Sequence, residues 1–211
     1  GNGNTLQSVI LSGTGDVTVR GGGGVITGIL LEGTEVDLQA PTGTRRHVVQ
    51  LGASQTEGVS ANGLIDLHLA QDRLPIYALS AGWAGKTVAE MAGGTTFETW
   101  AATLPFKDIL LTSFGINDTD DAAFQTNYQT IITKALAAGF NRVICRGLGF
   151  PVASYTSKNA KMEAAVTAVA DARAIYASID TWTGVSGVHP NRAEYMLMAD
   201  QSVASHYALY V

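Results

Sequence analysis

Cysteine is almost missing from this chain of 211 residues, because Cys145 is its only one. A single cysteine excludes a disulfide or zinc framework within the chain, and its position in the apolar run 142–146 predicts a buried thiol. Charged residues are also scarce, at 15%, and the 13 basic ones are scattered, which argues against a nucleic-acid partner. No apolar run approaches the roughly 20 residues of a membrane span, so none is predicted. An initiator methionine and a signal peptide are missing too, as expected of a mature or excised portion.

The composition that remains predicts a globular protein with two unequal parts. Hydrophobic residues make up 46% of the chain, enough for one domain with a large core. Residues 1–43 contain short β-type runs separated by glycine-rich turns such as 21–24, which predicts a small β appendage. The stretch 40–43, Ala-Pro-Thr-Gly, is the predicted boundary, so 44–211 form the main domain.

Apolar runs alternate with helical periodicity throughout the main domain. Candidate strands are 48–51, 76–79, 109–113, 142–145 and 175–179, and amphipathic helical patterns fall between them. This alternation predicts the α/β class, with a five-stranded parallel sheet covered by helices on both faces. Ligands of such sheets bind at the carboxyl ends of the strands.

The stretch 47–58 places a serine at such a strand end. A β-branched run stops at Gly52, Ser54 follows, and polar residues with Gly58 lead towards a helix. Ser54 is a candidate nucleophile, although serine is also a favoured helix N-cap. The sequence near this point leaves both interpretations open.

The stretch 80–87 follows the second strand and ends in Gly-Lys-Thr, as a phosphate-binding loop does. A phosphate-binding loop requires glycine at the position of Ser80, and magnesium binding requires an aspartate at a strand end, which strand 109–113 does not provide. Nucleotide binding is therefore disfavoured. In the favoured interpretation, the N–H of Gly85 donates to a developing oxyanion.

Two further stretches carry candidate polar residues. One follows the third strand, and the other precedes the last helix. Asn117, in Phe-Gly-Ile-Asn-Asp at 114–118, is a suitable oxyanion donor or, with Asp118, a cap for the next helix. Residues 118–121 provide acidic capping before that helix. His189 lies on a loop from which it can reach a serine, and Pro190 suits the first turn of the last helix. The other histidines, His47, His68 and His206, fall in strand or helix patterns and are expected to be structural or solvated.

These four blocks together resemble the SGNH (GDSL-type) hydrolase family. The stretch 52–58, Gly-Ala-Ser-Gln-Thr-Glu-Gly, is similar to the family's Gly-Asp-Ser-x-Thr-x-Gly, and the match runs from about residue 48 to the C-terminus. The resemblance implies a flavodoxin-like three-layer α/β/α sandwich. It also implies that Ser54 is the nucleophile, that His189 is the base, and that the Ser54 N–H, the Gly85 N–H and the Asn117 side chain form the oxyanion hole.

The sequence departs from the family pattern at two positions. Ala53 replaces an aspartate that supports the turn rather than the chemistry. Ser186 stands where the family usually has an aspartate, three residues before the histidine, to orient the imidazole. A backbone carbonyl or the Ser186 hydroxyl could hold the ring instead, giving a Ser–His dyad, or Asp180 could approach from another loop.

The predicted activity is that of a serine esterase that needs no metal or organic cofactor. Without a long apolar lid, a short acyl group is favoured, and Trp83 and Trp182 could form a sugar-stacking wall, although both could equally be packing residues. The preferred hypothesis is deacetylation of an O-acetylated polysaccharide by a secreted or phage-tail protein. The alternatives are a lipase, arylesterase or thioesterase with the same machinery, and a non-catalytic carbohydrate-binding or assembly module.

Overall fold

The computed structural model describes residues 45–210, apart from 62, 64, 71–72, 105, 120–121, 151, 153–154 and 180. Five parallel strands form one sheet in the order β2-β1-β3-β4-β5. The strands are β1 (Arg46–Gly52), β2 (Ile76–Gly82), β3 (Ile109–Ser113), β4 (Arg142–Arg146) and β5 (Ala174–Ala177). The predicted α/β class and five-stranded parallel sheet are confirmed. The predicted appendage, residues 1–43, lies outside the described residues.

Seven α-helices connect or flank these strands in the described part of the chain. They are α1 (Ser54–Glu57), α2 (Asp66–Ala70), α3 (Val88–Ala92), α4 (Thr96–Ala102), α5 (Ala122–Ala137), α6 (Tyr155–Val169) and α7 (Arg192–His206). Two short 3₁₀ helices cover Val59–Ala61 and Tyr207–Leu209. None of the described helices is long and apolar enough to cross a lipid bilayer.

Consecutive strand residues pack on opposite faces of the sheet, as the pleat requires. Val49 and Leu110 belong to one buried cluster, which includes side chains from α3, α4, α5 and α6. Their neighbours Val48 and Ile109 belong to a second cluster, which includes side chains from α2 and α7. Both faces of the sheet are therefore covered, which explains why the strands read as nearly continuous apolar runs.

Helix α4 was not predicted, because Gly93 and Gly94 interrupt the pattern between it and α3. Gly94 has a φ of 50°, and the chain turns there before Thr96 begins the new helix. Phe97 and Ala101 then face the core at a helical spacing of four residues. A segment of seven residues is too short to show this period clearly in the sequence.

Candidate active site

Ser54 lies at the first position of α1, and one residue, Ala53, separates it from the end of β1. The strand can turn so tightly because position 52 is glycine, where a Cβ atom would lie 2.2 Å from Thr56 Oγ1. Ala53 is the N-cap, and its side chain makes no capping hydrogen bond. The interpretation of Ser54 as the N-cap is therefore wrong.

The hydroxyl of Ser54 contacts His189 instead. Ser54 Oγ lies 2.9 Å from His189 Nε2, although 135 residues separate them along the chain. Ser54 is 6% exposed, whereas His189 is exposed at the surface. When the ring proton is on Nδ1, Nε2 accepts the hydrogen of the Ser54 hydroxyl, which is the arrangement a general base needs.

The loop that carries His189, residues 186–191, is held by side chains of α7. Asn191 is the N-cap of α7 and forms a reciprocal capping box with Glu194. Pro190 consequently precedes the N-cap, and its predicted place in the first turn of the helix is wrong. Glu194 also accepts hydrogen bonds from the Ser186 N–H and hydroxyl, at 2.8 and 2.7 Å.

These hydrogen bonds affect the charge of the loop. The N–H groups of Ser186 and Asn191, with the Ser186 hydroxyl, lower the pKa of the Glu194 carboxyl below its ordinary value. The group is therefore ionised at neutral pH.

Gln55, the residue after Ser54, also binds the loop that carries His189. The Gln55 side chain donates to the Val188 carbonyl over 2.6 Å, and the Tyr195 hydroxyl donates to the Gln55 carbonyl, also over 2.6 Å. Tyr195 is buried, and desolvation raises the pKa of its hydroxyl, so it remains a donor. The residue after the nucleophile thus touches both the histidine loop and α7.

Gly85 occupies a turn that packs against the nucleophile helix. Its φ is 78°, a left-handed conformation that favours glycine, and Lys86 N–H closes the turn onto the Trp83 carbonyl over 3.2 Å. The Ala84 N–H donates to Glu57 Oε2 over 2.6 Å. The turn is thus fixed to the last residue of α1.

Asn117 reaches the same turn from the loop after β3. Its side-chain Nδ2 donates to the Lys86 carbonyl over 3.1 Å. The Asp118 carboxylate accepts from the Val88 N–H over 2.9 Å, at the start of α3. Asp118 therefore binds the first turn of α3, whose N-cap is Thr87. The predicted acidic capping of the Phe124 helix by 118–121 stays a prediction, because residues 120–121 lie outside the described residues.

A buried lysine braces the Asn117 loop from α6. Lys158 is 4% exposed, and its ammonium donates to the carbonyls of Gly115, at 2.6 Å, and of Asp118. These two carbonyls flank Asn117 on either side. The loop is consequently fixed to a helix that begins about 40 residues later in the chain.

The Ser54 segment, the Gly85 turn and the Asn117 loop each contain a hydrogen-bond donor with spare capacity. Within the described part of the chain, the N–H groups of Ser54 and Gly85 have no acceptor. The Asn117 amide uses one bond to the Lys86 carbonyl and has a second N–H. Donors of this kind can stabilise negative charge that develops on an oxygen atom.

The predicted orienting group Ser186 makes no hydrogen bond to the imidazole. The Ser186 hydroxyl donates to Glu194, and no described residue accepts a hydrogen bond from His189 Nδ1. Asp180 lies outside the described residues, so its predicted role stays a prediction.

The two tryptophans of the predicted sugar-stacking wall differ sharply. Trp83 is 36% exposed, and its ring meets Trp100 edge to face at 6.1 Å. Trp182 is only 3% exposed, and its ring lies 5.5 Å from the buried Arg146 guanidinium. This burial argues against a sugar-stacking role for Trp182, because a core side chain presents no face to a ligand.

Several residues that support the site were not predicted from the sequence. Glu194 could have been found, because Asn191 and Glu194 have the spacing of a capping box. Gln55 and Lys158 give no comparable signal, since their partners lie 133 and 43 residues away along the chain.

Several solved structures with the same fold are esterases or lipolytic proteins. A family 3 carbohydrate esterase from Clostridium thermocellum aligns with a TM-score of 0.62 and 16% identity, over 79% of this chain and 100% of its own. The esterase EstA from Pseudoalteromonas sp. aligns with a TM-score of 0.61 and 14% identity, over 78% of this chain and 98% of its own. A member of the lipolytic protein G-D-S-L family from Veillonella parvula aligns with a TM-score of 0.56 and 20% identity, over 76% of this chain and 97% of its own. The chain therefore has the SGNH (GDSL-type) hydrolase fold, as the motifs predicted. No protein-family model and no curated protein matches the sequence.

Proposed function

We propose that this protein is a carboxylic ester hydrolase that works through an acyl-enzyme on Ser54. The observation that carries the proposal is the 2.9 Å contact between Ser54 Oγ and His189 Nε2 at the carboxyl edge of the sheet. His189 takes the hydroxyl proton as Ser54 Oγ attacks the ester carbonyl carbon, and then gives it to the departing alkoxide. A water molecule attacks the acyl-enzyme in the second half of the cycle, with His189 again as the base.

The tetrahedral intermediates carry negative charge on the former carbonyl oxygen. We assign its stabilisation to the N–H groups of Ser54 and Gly85 and to the Asn117 side chain. The hydrogen bond from Asn117 to the Lys86 carbonyl and that from Ala84 to Glu57 support this assignment, because they join the three donor segments. Preformed donors need no reorganisation when the charge appears, which is why such sites accelerate acyl transfer.

We propose a short acyl ester of a carbohydrate, with acetyl preferred, as the substrate. The exposed ring of Trp83 lies two residues before Gly85, and an aromatic face beside the reacting bond suits a sugar ring. Similarity to carbohydrate esterases from Clostridium thermocellum and Cellvibrio japonicus supports the same choice. A composition rich in Gly, Ser, Thr and Ala supports an extracellular or phage-tail setting.

Hydrolysis of p-nitrophenyl acetate by the full chain and by Ser54→Ala tests the activity. We expect the variant to lose at least about 10³ of kcat, because no other group replaces the nucleophile. Ser60→Ala is the matched control, since Ser60 is an exposed serine in the next turn of the chain. Equal rates for wild type and Ser54→Ala would reject the esterase and favour a non-catalytic module.

The substrate class is tested separately on the active wild type. Acetylated xylooligosaccharides, p-nitrophenyl esters of two to eight carbons and an acetyl thioester are compared by kcat/KM. We expect the acetylated sugar to exceed ethyl acetate, which offers the same acyl group without a ring. Activity on long-chain esters with none on acetylated sugars would overturn the carbohydrate assignment and leave the esterase intact.

A further inference from the structure

We propose that Glu194 is the positioning residue that holds His189 against Ser54, in place of an acid at position 186. This inference rests on the proposed function, since it concerns the base of that same site. Its basis is a single carboxylate that closes both ends of the loop carrying the histidine.

The two oxygens of Glu194 bind opposite ends of the loop 186–191. Oε1 accepts from the Ser186 N–H at 2.8 Å and from the Ser186 hydroxyl at 2.7 Å. Oε2 accepts from the Asn191 N–H at 2.8 Å. Because one side chain joins the two ends of the loop, those ends can separate only by breaking charge-assisted hydrogen bonds.

A second capping box in the described part of the chain differs in its reach. In α3, Glu90 accepts from the N–H and hydroxyl of the N-cap Thr87, and its other contact is the ammonium of Lys86, one residue earlier. Glu194 binds its own N-cap and also Ser186, eight residues back, so its bridge spans the whole loop that carries His189.

The charge of Glu194 strengthens these hydrogen bonds. The N–H groups of Ser186 and Asn191 and the Ser186 hydroxyl lower the pKa of the carboxyl, so it is ionised at neutral pH. Hydrogen bonds to a carboxylate are stronger than those between neutral groups, so both ends of the loop are firmly attached.

Glu194→Gln tests the inference, with Asp200→Asn as the matched control. Glutamine has one acceptor oxygen, so it cannot receive hydrogen bonds at both ends of the loop. Asp200 lies on the same helix, about 9 Å farther along, and its substitution removes the same charge from an exposed pair with Arg73. We expect Glu194→Gln to lower kcat about tenfold or more, with KM within about twofold, while Asp200→Asn keeps the wild-type values.

The split between kcat and KM separates positioning from mere loss of stability. Loss of folded protein lowers the number of active sites, which active-site titration measures, whereas a displaced base lowers kcat per active site and leaves KM nearly constant. A wild-type kcat per active site in Glu194→Gln would overturn the inference.

Ser186→Ala covers the case in which Glu194→Gln does not fold, since it keeps both backbone hydrogen bonds. We expect it to lower kcat by about twofold to fivefold with KM nearly constant; unchanged kinetics would count against the inference. The NMR signals of the His189 ring, assigned with His189→Asn, give a readout without substrate. Displaced His189 signals in Glu194→Gln but not in Asp200→Asn support the inference even if Ser54→Ala proves the esterase wrong, and unmoved signals overturn it even if the esterase is right.

Discussion

Gly85 is the single residue whose backbone conformation the proposed oxyanion hole depends on most directly. Its φ of 78° is strained for any residue with a Cβ atom, although a Cβ there would meet no atom within 4 Å. The demand for glycine therefore comes from the conformation of the turn and not from crowding. In the proposed mechanism, this turn orients the Gly85 N–H towards the negatively charged oxygen of the tetrahedral intermediate.

Gly85→Ala should reduce both stability and activity. A left-handed conformation costs an alanine about 1–2 kcal/mol, and relaxing the turn would move the N–H away from the oxyanion. We expect a lower free energy of unfolding by that amount and a kcat reduced about tenfold to a hundredfold. Denaturant titration and p-nitrophenyl acetate kinetics measure the two effects.

Gly139→Ala is the control for this prediction. Gly139 has a φ of 97°, again with no atom within 4 Å of a Cβ, and it follows α5 away from the proposed site. It should lose similar stability while keeping full activity. Full activity in Gly85→Ala would remove Gly85 from the oxyanion hole.

At the scale of elements, the site depends on loops that are held by helices distant in sequence. The loop after β3 is attached to α3 through Asp118 and to α6 through Lys158. The loop before α7 is attached to α1 through Gln55. The sheet brings the strand ends together, and these cross-links then fix the side chains between them.

Lys158→Met should loosen the Asn117 loop while keeping α6 folded. Methionine fills a similar volume but leaves two carbonyls without their donor, at about 1–3 kcal/mol for each buried group. We expect a clear loss of stability and a kcat lowered about tenfold, with KM nearly constant. Steady-state kinetics and denaturant titration check both numbers.

Lys134→Met provides the comparison for Lys158. Lys134 also joins a helix to a loop, because its ammonium donates to the Gly94 carbonyl over 2.6 Å and pairs with Glu98. That loop is not the one that carries Asn117, so activity should be unchanged. A normal kcat in Lys158→Met would show that the Asn117 loop does not need this brace.

At the scale of the whole molecule, a buried polar cluster lies on the α2 and α7 side of the sheet. Asp66 and Arg146 form an ion pair at 2.5 Å, and Ser202 donates to the same carboxylate over 3.2 Å. His206, near this pair, donates from Nε2 to the Ser178 carbonyl at 3.2 Å, whereas its Nδ1 is buried with no partner among the described residues. Desolvation lowers the pKa of His206, with Arg146 acting in the same direction and Asp66 opposing it.

Stability should therefore fall as the pH drops below about 6.5, the ordinary pKa of histidine. The unfolded chain then takes up a proton that the folded His206 resists until its own lower pKa is reached, so the free energy of unfolding decreases across that window. One such proton gives a slope of at most about 1.4 kcal/mol per pH unit. Denaturant titrations between pH 5 and 8 measure it.

His206→Gln should flatten this dependence, because glutamine takes up no proton in either state. His47→Gln is the comparison, since His47 is stacked on Phe106 at 4.4 Å in a partly exposed position. It should keep the wild-type slope. An identical slope in His206→Gln would show that another group causes the pH dependence.

The sequence by itself determined the α/β class, the five strands and the identity of the candidate nucleophile and base. These features leave local signals: apolar runs of strand length, a glycine turn before Ser54, and His-Pro-Asn before a helix. Strand 109–113 was predicted with its observed bounds, because all five residues are buried and turn signals flank them. Short segments such as α4 left too few residues for a periodic signal.

Only the tertiary structure decided how the candidate site is supported. Glu194 at the ends of the histidine loop, Gln55 beneath it, Lys158 behind Asn117 and the burial of Trp182 all depend on pairs of atoms that the fold brings together. Local sequence patterns report backbone preference and burial averaged over a few residues. They contain no information on which distant side chain completes a hydrogen bond, and in this protein those distant bonds hold the proposed catalytic groups in place.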